Sequence, residues 1–265
     1  MNVDDFKLQL AQTLRVPLEL FWLSLLVSGC ALPDSTNSFT TECNIPSDQA
    51  GTIGGRWLDR PIPVAFSPGN FSQSEITAMT SAADTWNRFF NSSKNSPIFD
   101  YGGGSNTIRA TSGPNPGTRV CSRTPIFSNG QFNGSVGIYK VSPWPYSSGF
   151  IALTSFCTIA GSSESTNGQT YKTMTSAVME VNYADFFVNG KPQPDLQSVI
   201  LHELGHLLGL DHSCGQKANM PACESNLNPD YQNAVMFPTF YFTNGNGAVK
   251  QALQINDQSR ANCLY

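Results

Sequence analysis

Histidine is nearly missing from this 265-residue sequence, which has three. Charge is scarce too: Asp, Glu, Lys and Arg together make up 13%, roughly half the usual share of a soluble protein. There is no block of Lys or Arg, and the formal net charge is −4. That balance excludes a binder that works by neutralising phosphates, so no nucleic-acid partner is expected. The longest apolar stretch, residues 20–27, falls far short of the roughly 20 residues a membrane-spanning helix needs. No C-x-x-C pair occurs among the seven cysteines, which argues against a cysteine-based zinc site. Apolar residues nevertheless reach 40%. With so little charge, that argues for a folded chain with a sizeable core and against disorder.

The N-terminus reads as an address. Lys7 and Arg15 precede an apolar run containing Leu20, Phe21, Trp22, Leu23, Leu25, Leu26 and Val27, and Ser28-Gly29-Cys30 follows. A weakly basic start, a short apolar segment and small residues before a break are the layout of a secretory signal peptide. The ending Leu26-Val27-Ser28-Gly29-Cys30 resembles a bacterial lipobox, which implies lipid attachment at Cys30 and a location outside the cytoplasm, secreted or lipid-anchored to the cell envelope. Setting Cys30 aside leaves Cys43, Cys121, Cys157, Cys214, Cys223 and Cys263, an even set able to form three disulfides. Cys214 and Cys223 are close enough in sequence to close a short loop. The other pairings stay open.

Residues 31–55 are polar and turn-rich and read as a tether. Ile62–Phe66 is a strand candidate. Ser72-Gln73-Ser74-Glu75 fits a capping box, and Ile76, Met79, Ala83, Trp86 and Phe90 recur at helical spacing, a stripe that reads as core packing. Gly102-Gly103-Gly104 has no Lys-Ser/Thr after it at Walker spacing and reads as a loop. Residues 136–141, 150–156 and 177–183 are further strand candidates. Asp195 is a candidate N-cap for a helix through Leu196, Val199, Ile200, Leu204, Leu207 and Leu208, with Gly209 as its stop.

All three histidines fall on or just after that helix, in His202-Glu203-Leu204-Gly205-His206 and Leu207-Leu208-Gly209-Leu210-Asp211-His212. Histidines at i and i+4 share one helix face and can reach one ion. Gly209 can take a left-handed turn and bring His212 back as a third nitrogen. Three neutral imidazoles leave one tetrahedral position for water, the pattern of a catalytic zinc site. Glu203 lies where a carboxylate can stand beside that water.

The complete H-E-x-x-H-x-x-G-x-x-H motif resembles the signature of the metzincin metallopeptidases. The stretch from His202 to Ser213 is most similar to the matrixins. Ala234-Val235-Met236-Phe237-Pro238-Thr239-Phe240 resembles their methionine turn and S1′ wall, and Ile255-Asn256-Asp257 through Leu264-Tyr265 resembles the close of their last helix. The resemblance implies an α+β fold of metzincin type: a twisted mixed sheet, an active-site helix, and a mostly irregular C-terminal part ending in a helix. The chain then divides into an address over 1–30, a tether over 31–55 and a metallopeptidase domain over 56–265, with an upper part 56–209 and a lower part 210–265.

By the same resemblance His202, His206 and His212 bind one Zn2+, Glu203 is the general base, and Met236 forms an apolar floor. Pro238, Thr239 and Phe240 line the S1′ wall, and substrate lies along a strand near 149–156. Phe237 replaces the tyrosine that ligates zinc in some relatives, so no fifth ligand is expected. No histidine remains for a second, structural zinc. Ca2+ held by loop carboxylates stays open, without named ligands. Cys43-Asn44-Ile45-Pro46-Ser47-Asp48 echoes the family's inhibitory propeptide cysteine, but a disulfide is expected of Cys43. The implied partner is a protein or peptide substrate, the implied state a monomer, and membrane contact arises through the lipid anchor alone. Two other readings stand beside the zinc endopeptidase: an inactive surface adhesin or scaffold, and a zinc hydrolase of non-peptide amides.

Overall fold

The computed structural model describes residues 39–66, 70–102, 121, 125–224 and 227–265, and the backbone of 7–9. The remainder of the expected signal peptide, Cys30 and residues 31–38 lie outside the described residues.

In chain order the elements begin with β1 (Lys7–Gln9), β2 (Ile62–Phe66), α1 (Gln73–Lys94), β3 (Phe99–Asp100), β4 (Phe127–Ser128), β5 (Gln131–Phe132) and β6 (Val136–Val141). There follow β7 (Ala152–Thr166), β8 (Gln169–Asn182), α2 (Leu196–Leu208), α3 (Pro229–Asn233), β9 (Thr239–Thr243), β10 (Asn246–Gly247) and α4 (Ile255–Leu264). The central sheet has the order β3-β2-β6-β8-β7. Its first four strands run parallel and β7 runs antiparallel to β8 at one end. This is the expected α+β architecture with a mixed sheet. β2 is buried along its whole length, in keeping with its apolar run, since a parallel strand has both faces covered.

The local signals explain where the helices begin and end. The Ser72 hydroxyl accepts from the Glu75 N–H at 3.3 Å, and the Glu75 carboxylate accepts from the Ser72 N–H at 2.6 Å, closing the capping box at the start of α1. Met79, Ala83, Trp86 and Phe90 of the stripe are buried. The Trp86 indole N–H donates to the Leu201 carbonyl at 3.0 Å, so α1 also braces α2. At the start of α2, Asp195 accepts from the Ser198 N–H at 2.9 Å.

Two expectations are corrected. β7 and β8 extend well beyond 150–156 and 177–183, forming a long hairpin whose turn, Asn167-Gly168, has φ of 49° and 74°. These are the left-handed values a tight hairpin turn requires. The second concerns residues 39–55, which their composition assigns to a tether and which instead wrap the domain. Cys43 is bonded to Cys263, Gln49 and Thr52 are fully buried, and Ile53 forms an antiparallel bridge with Leu210. The residues that look linker-like are used as hydrogen-bonding groups: Gln49 Nε2 donates to the Ser213 carbonyl at 2.8 Å, and Asn256 Nδ2 donates to Gln49 Oε1 at 2.7 Å.

The other disulfides are Cys121–Cys157 and Cys214–Cys223. Among the described residues no helix is long and apolar enough to cross a membrane.

Candidate metal centre

α2 carries its chemistry on a buried face. His202, Glu203 and His206 are each 3% exposed or less, so the ring orientations are set by packing. Gly209 has φ of 109° and its N–H caps the helix through the carbonyls of Gly205 and His206. A Cβ at Gly209 would lie 1.8 Å from the Gly55 carbonyl oxygen, so a side chain is excluded both by the backbone angle and by the N-terminal wrap. After this turn the Asp211 N–H donates to the Thr52 carbonyl at 2.7 Å, and the His212 N–H to Asp211 Oδ1 at 2.7 Å. His212 thereby returns to the two helix histidines.

The three rings offer ligand atoms that all lie within 4.8 Å of one another. His202 Nδ1 sits 2.7 Å from the Val235 carbonyl and His206 Nδ1 2.8 Å from the Leu210 carbonyl. A carbonyl only accepts, so each Nδ1 carries the proton and each Nε2 presents a lone pair. Burial, followed by the neighbouring His206, pushes His202 and His212 well below the usual imidazole value. The neutral form is the one that ligates a metal. His206 Nε2 and His212 Nε2 are 3.2 Å apart. Zinc–nitrogen bonds of about 2.05 Å at tetrahedral angles separate two nitrogens by about 3.3 Å. The donor set fits one zinc ion.

The rest of the sequence signature is assembled around these rings. The Ser213 N–H donates to the Met236 carbonyl at 2.8 Å, joining the third-histidine segment to the methionine turn. Met236 is fully buried, and a Cβ on Gly205 would approach its Sδ to 2.2 Å. Met236 therefore packs directly under the helix between the two histidines, as an apolar floor would. A family model described as Matrixin matches residues 65–265. The chain belongs to the matrixin family. A comparison with curated protein sequences finds no match to the chain.

For a matrixin, three placements matter further. Cys43 is tied to Cys263, so the echo of a propeptide switch at Cys43 has no free thiol behind it. Among the described residues no second group of three His, Cys, Asp or Glu side chains converges. Thr239 and Phe240 begin β9, with Pro238 just before it. Its outer neighbour is β1, running parallel with Lys7 opposite Thr239 and Gln9 opposite Tyr241.

Several residues that hold the centre escaped the sequence reading. Thr154 of β7 donates its hydroxyl to Glu203 Oε2 at 2.7 Å. Asp257 of α4 accepts from the N–H groups of Val235 and Met236 at 2.8 and 3.1 Å. Burial pushes its carboxyl up, opposed by Arg260 and these backbone donors. Arg260, fully buried, donates to the Asp211 carbonyl at 3.0 Å. Lys250 Nζ donates to the carbonyls of Gln232 and Ala234 at 2.7 and 3.1 Å, and burial brings it down to about 8 despite Asp257. The available signal for Asp257 and Arg260 was two opposite charges at i and i+3 in an otherwise core-facing helix.

Proposed function

We propose that this matrixin is a zinc-dependent endopeptidase, with His202, His206 and His212 as the metal ligands and Glu203 as the general base. The observation that carries the reading is the convergence of three buried imidazoles, two on α2 and the third beyond Gly209, with Glu203 buried next to His202 on the same helix. Bound there, zinc would polarise the scissile carbonyl and lower the pKa of a bound water. Glu203 takes a proton from the attacking water and passes it to the nitrogen of the departing amine, so the carboxylate is regenerated at the end of each turnover. His202 and His206 keep their Nδ1 protons on the carbonyls of Val235 and Leu210, which leaves their Nε2 lone pairs to face the metal.

Substrate would run along β7, the terminal strand of the sheet, by main-chain hydrogen bonds. Contact between β7 and α2 at Thr154–Glu203 brings that strand against the proposed base. Pro238, Thr239 and Phe240 would shape the facing S1′ wall. The deciding experiment is cleavage profiling on proteome-derived peptides by purified protein, parent and Glu203→Ala, with and without chelator. Glu203→Ala is expected to retain one zinc and lose at least a thousandfold in kcat, on the scale at which essential catalytic groups act. Unchanged turnover would overturn the mechanism, and no chelator-sensitive cleavage by the parent would favour the scaffold reading.

The leader and the disulfides support a location outside the cytoplasm, and Cys30 would carry the lipid. Cys30→Ala is expected to abolish partitioning into the membrane fraction of expressing cells. Undiminished partitioning would show that the lipobox reading is wrong.

A further inference from the structure

Glu203 is held by a residue far away in sequence. Thr154 sits on β7 opposite Met179 of β8, 4% exposed, with its side chain directed at α2. Its hydroxyl lies 2.7 Å from Glu203 Oε2 and 3.3 Å from the Glu203 carbonyl oxygen. Both are acceptors and the hydroxyl has one proton. The shorter contact, to a charged acceptor, is the stronger bond.

We infer that Thr154 is a positioning residue for the general base, which rests on the endopeptidase reading above. A carboxylate on a helix can rotate about its last torsion, because such terminal torsions have broad, shallow preferences. Donation to Oε2 stops that rotation and sets the direction from which the other oxygen meets a proton. Threonine suits the task better than serine. Its branched Cβ has a restricted χ1 in a strand, and the strand is itself clamped by β8. The bond also ties the strand along which substrate would lie to the helix bearing the base. Proximity effects of this kind are steep, with a 1 Å misplacement of a reacting group costing up to about a hundredfold.

The test compares Thr154→Val, which keeps the shape and removes the donor, with Thr154→Ser, which keeps the donor. kcat, KM, zinc content and thermal midpoint are measured on the full chain. Thr154→Val is expected to lower kcat about 10- to 100-fold while KM and zinc content stay within twofold, and Thr154→Ser to recover most of kcat. The thermal midpoint should fall with Thr154→Val when Glu203 is present and not when Glu203 is already Ala, a coupling a purely local packing role would not produce. If Thr154→Val turns over within twofold of parent, or both variants fall alike with loss of zinc, the inference is overturned and the endopeptidase reading stands. A parent without chelator-sensitive turnover overturns both.

Discussion

The layer made of the central sheet, α1 and α2 and the stretch after Gly209 with its N-terminal wrap are stabilised in different ways. In the first, large apolar side chains dominate the interior: Trp86, Phe89, Phe90, Ile62, Ile138 and Met179 are all essentially inaccessible, and most of the backbone is paired in ladders and helices. In the second, the chain is mostly irregular, and apolar side chains such as Val235, Met236 and Leu264 share the interior with a dense set of buried polar ones. Gln49, Thr52, Ser213, Asn256, Asp257, Arg260 and Asn262 are all 6% exposed or less. The difference follows from the backbone. Buried N–H and C=O groups outside regular structure need partners, and here side chains supply them. Two of the three disulfides, Cys43–Cys263 and Cys214–Cys223, also fasten this stretch. The metal centre lies where the two regions meet, with two histidines on α2 and the third beyond Gly209.

The largest effect should come from the long disulfide. Cys43 and Cys263 are 220 residues apart, so replacing both with Ala releases a very large loop in the denatured chain and should cost about 5 kcal/mol. The same change at Cys214 and Cys223, separated by 9 residues, should cost about 2.5 kcal/mol. Chemical denaturation midpoints measure both. Equal losses would show that native packing, not chain restraint, sets these contributions.

A paired substitution breaks each region in its own currency. Trp86→Ala should cost about 4 kcal/mol by cavity formation and leave zinc affinity within a few-fold. Asp257→Asn should cost about 3 kcal/mol, because Arg260 loses its charge partner in a dry site. It should also weaken zinc binding at least tenfold, since Asp257 holds the turn whose Val235 carbonyl fixes His202. Calorimetry with metal competition reads both quantities, and equal effects on zinc would erase the distinction.

The smallest effect probes a polar cluster of the upper layer. Burial raises the Glu75 carboxyl, but hydrogen bonds from Tyr183, Ser72 and Lys140 prevail and bring it from the usual 4.5 to about 2. A folded pKa below the unfolded one gives stability that is present above about 4.5 and is lost as pH falls towards 2. Glu75→Gln should therefore flatten the acid limb of the stability curve in that window and leave its slope near neutrality unchanged. An acid limb unaltered by the substitution would place the acid sensitivity in the lower region.

Much of α1 and α2 was legible because their information is local. A capping box, a 3.6-residue stripe and a glycine stop all lie within a few residues of what they determine. The β7–β8 hairpin was half legible. Its inner ends are apolar, while the outer part from Thr158 to Thr175 is rich in Ser and Thr with little alternation, and the Asn167-Gly168 turn was the one cue it offered. The N-terminal wrap was not legible. Gln49 and Thr52 carry no mark distinguishing a linker residue from a buried hydrogen-bonding group until the carbonyls they serve are in place.

By itself, then, the order of residues determined the convergence of the histidine triad and the family, since two histidines a helical turn apart and a glycine before the third specify their own geometry. Only the tertiary structure decided that Thr154 restrains Glu203, that Asp257 and Arg260 hold the turn beneath the histidines, and that Cys43 closes on Cys263. These partners lie 49, 21 and 220 positions apart. Contacts at such separations depend on how the sheet and helices pack, which no short stretch of sequence encodes.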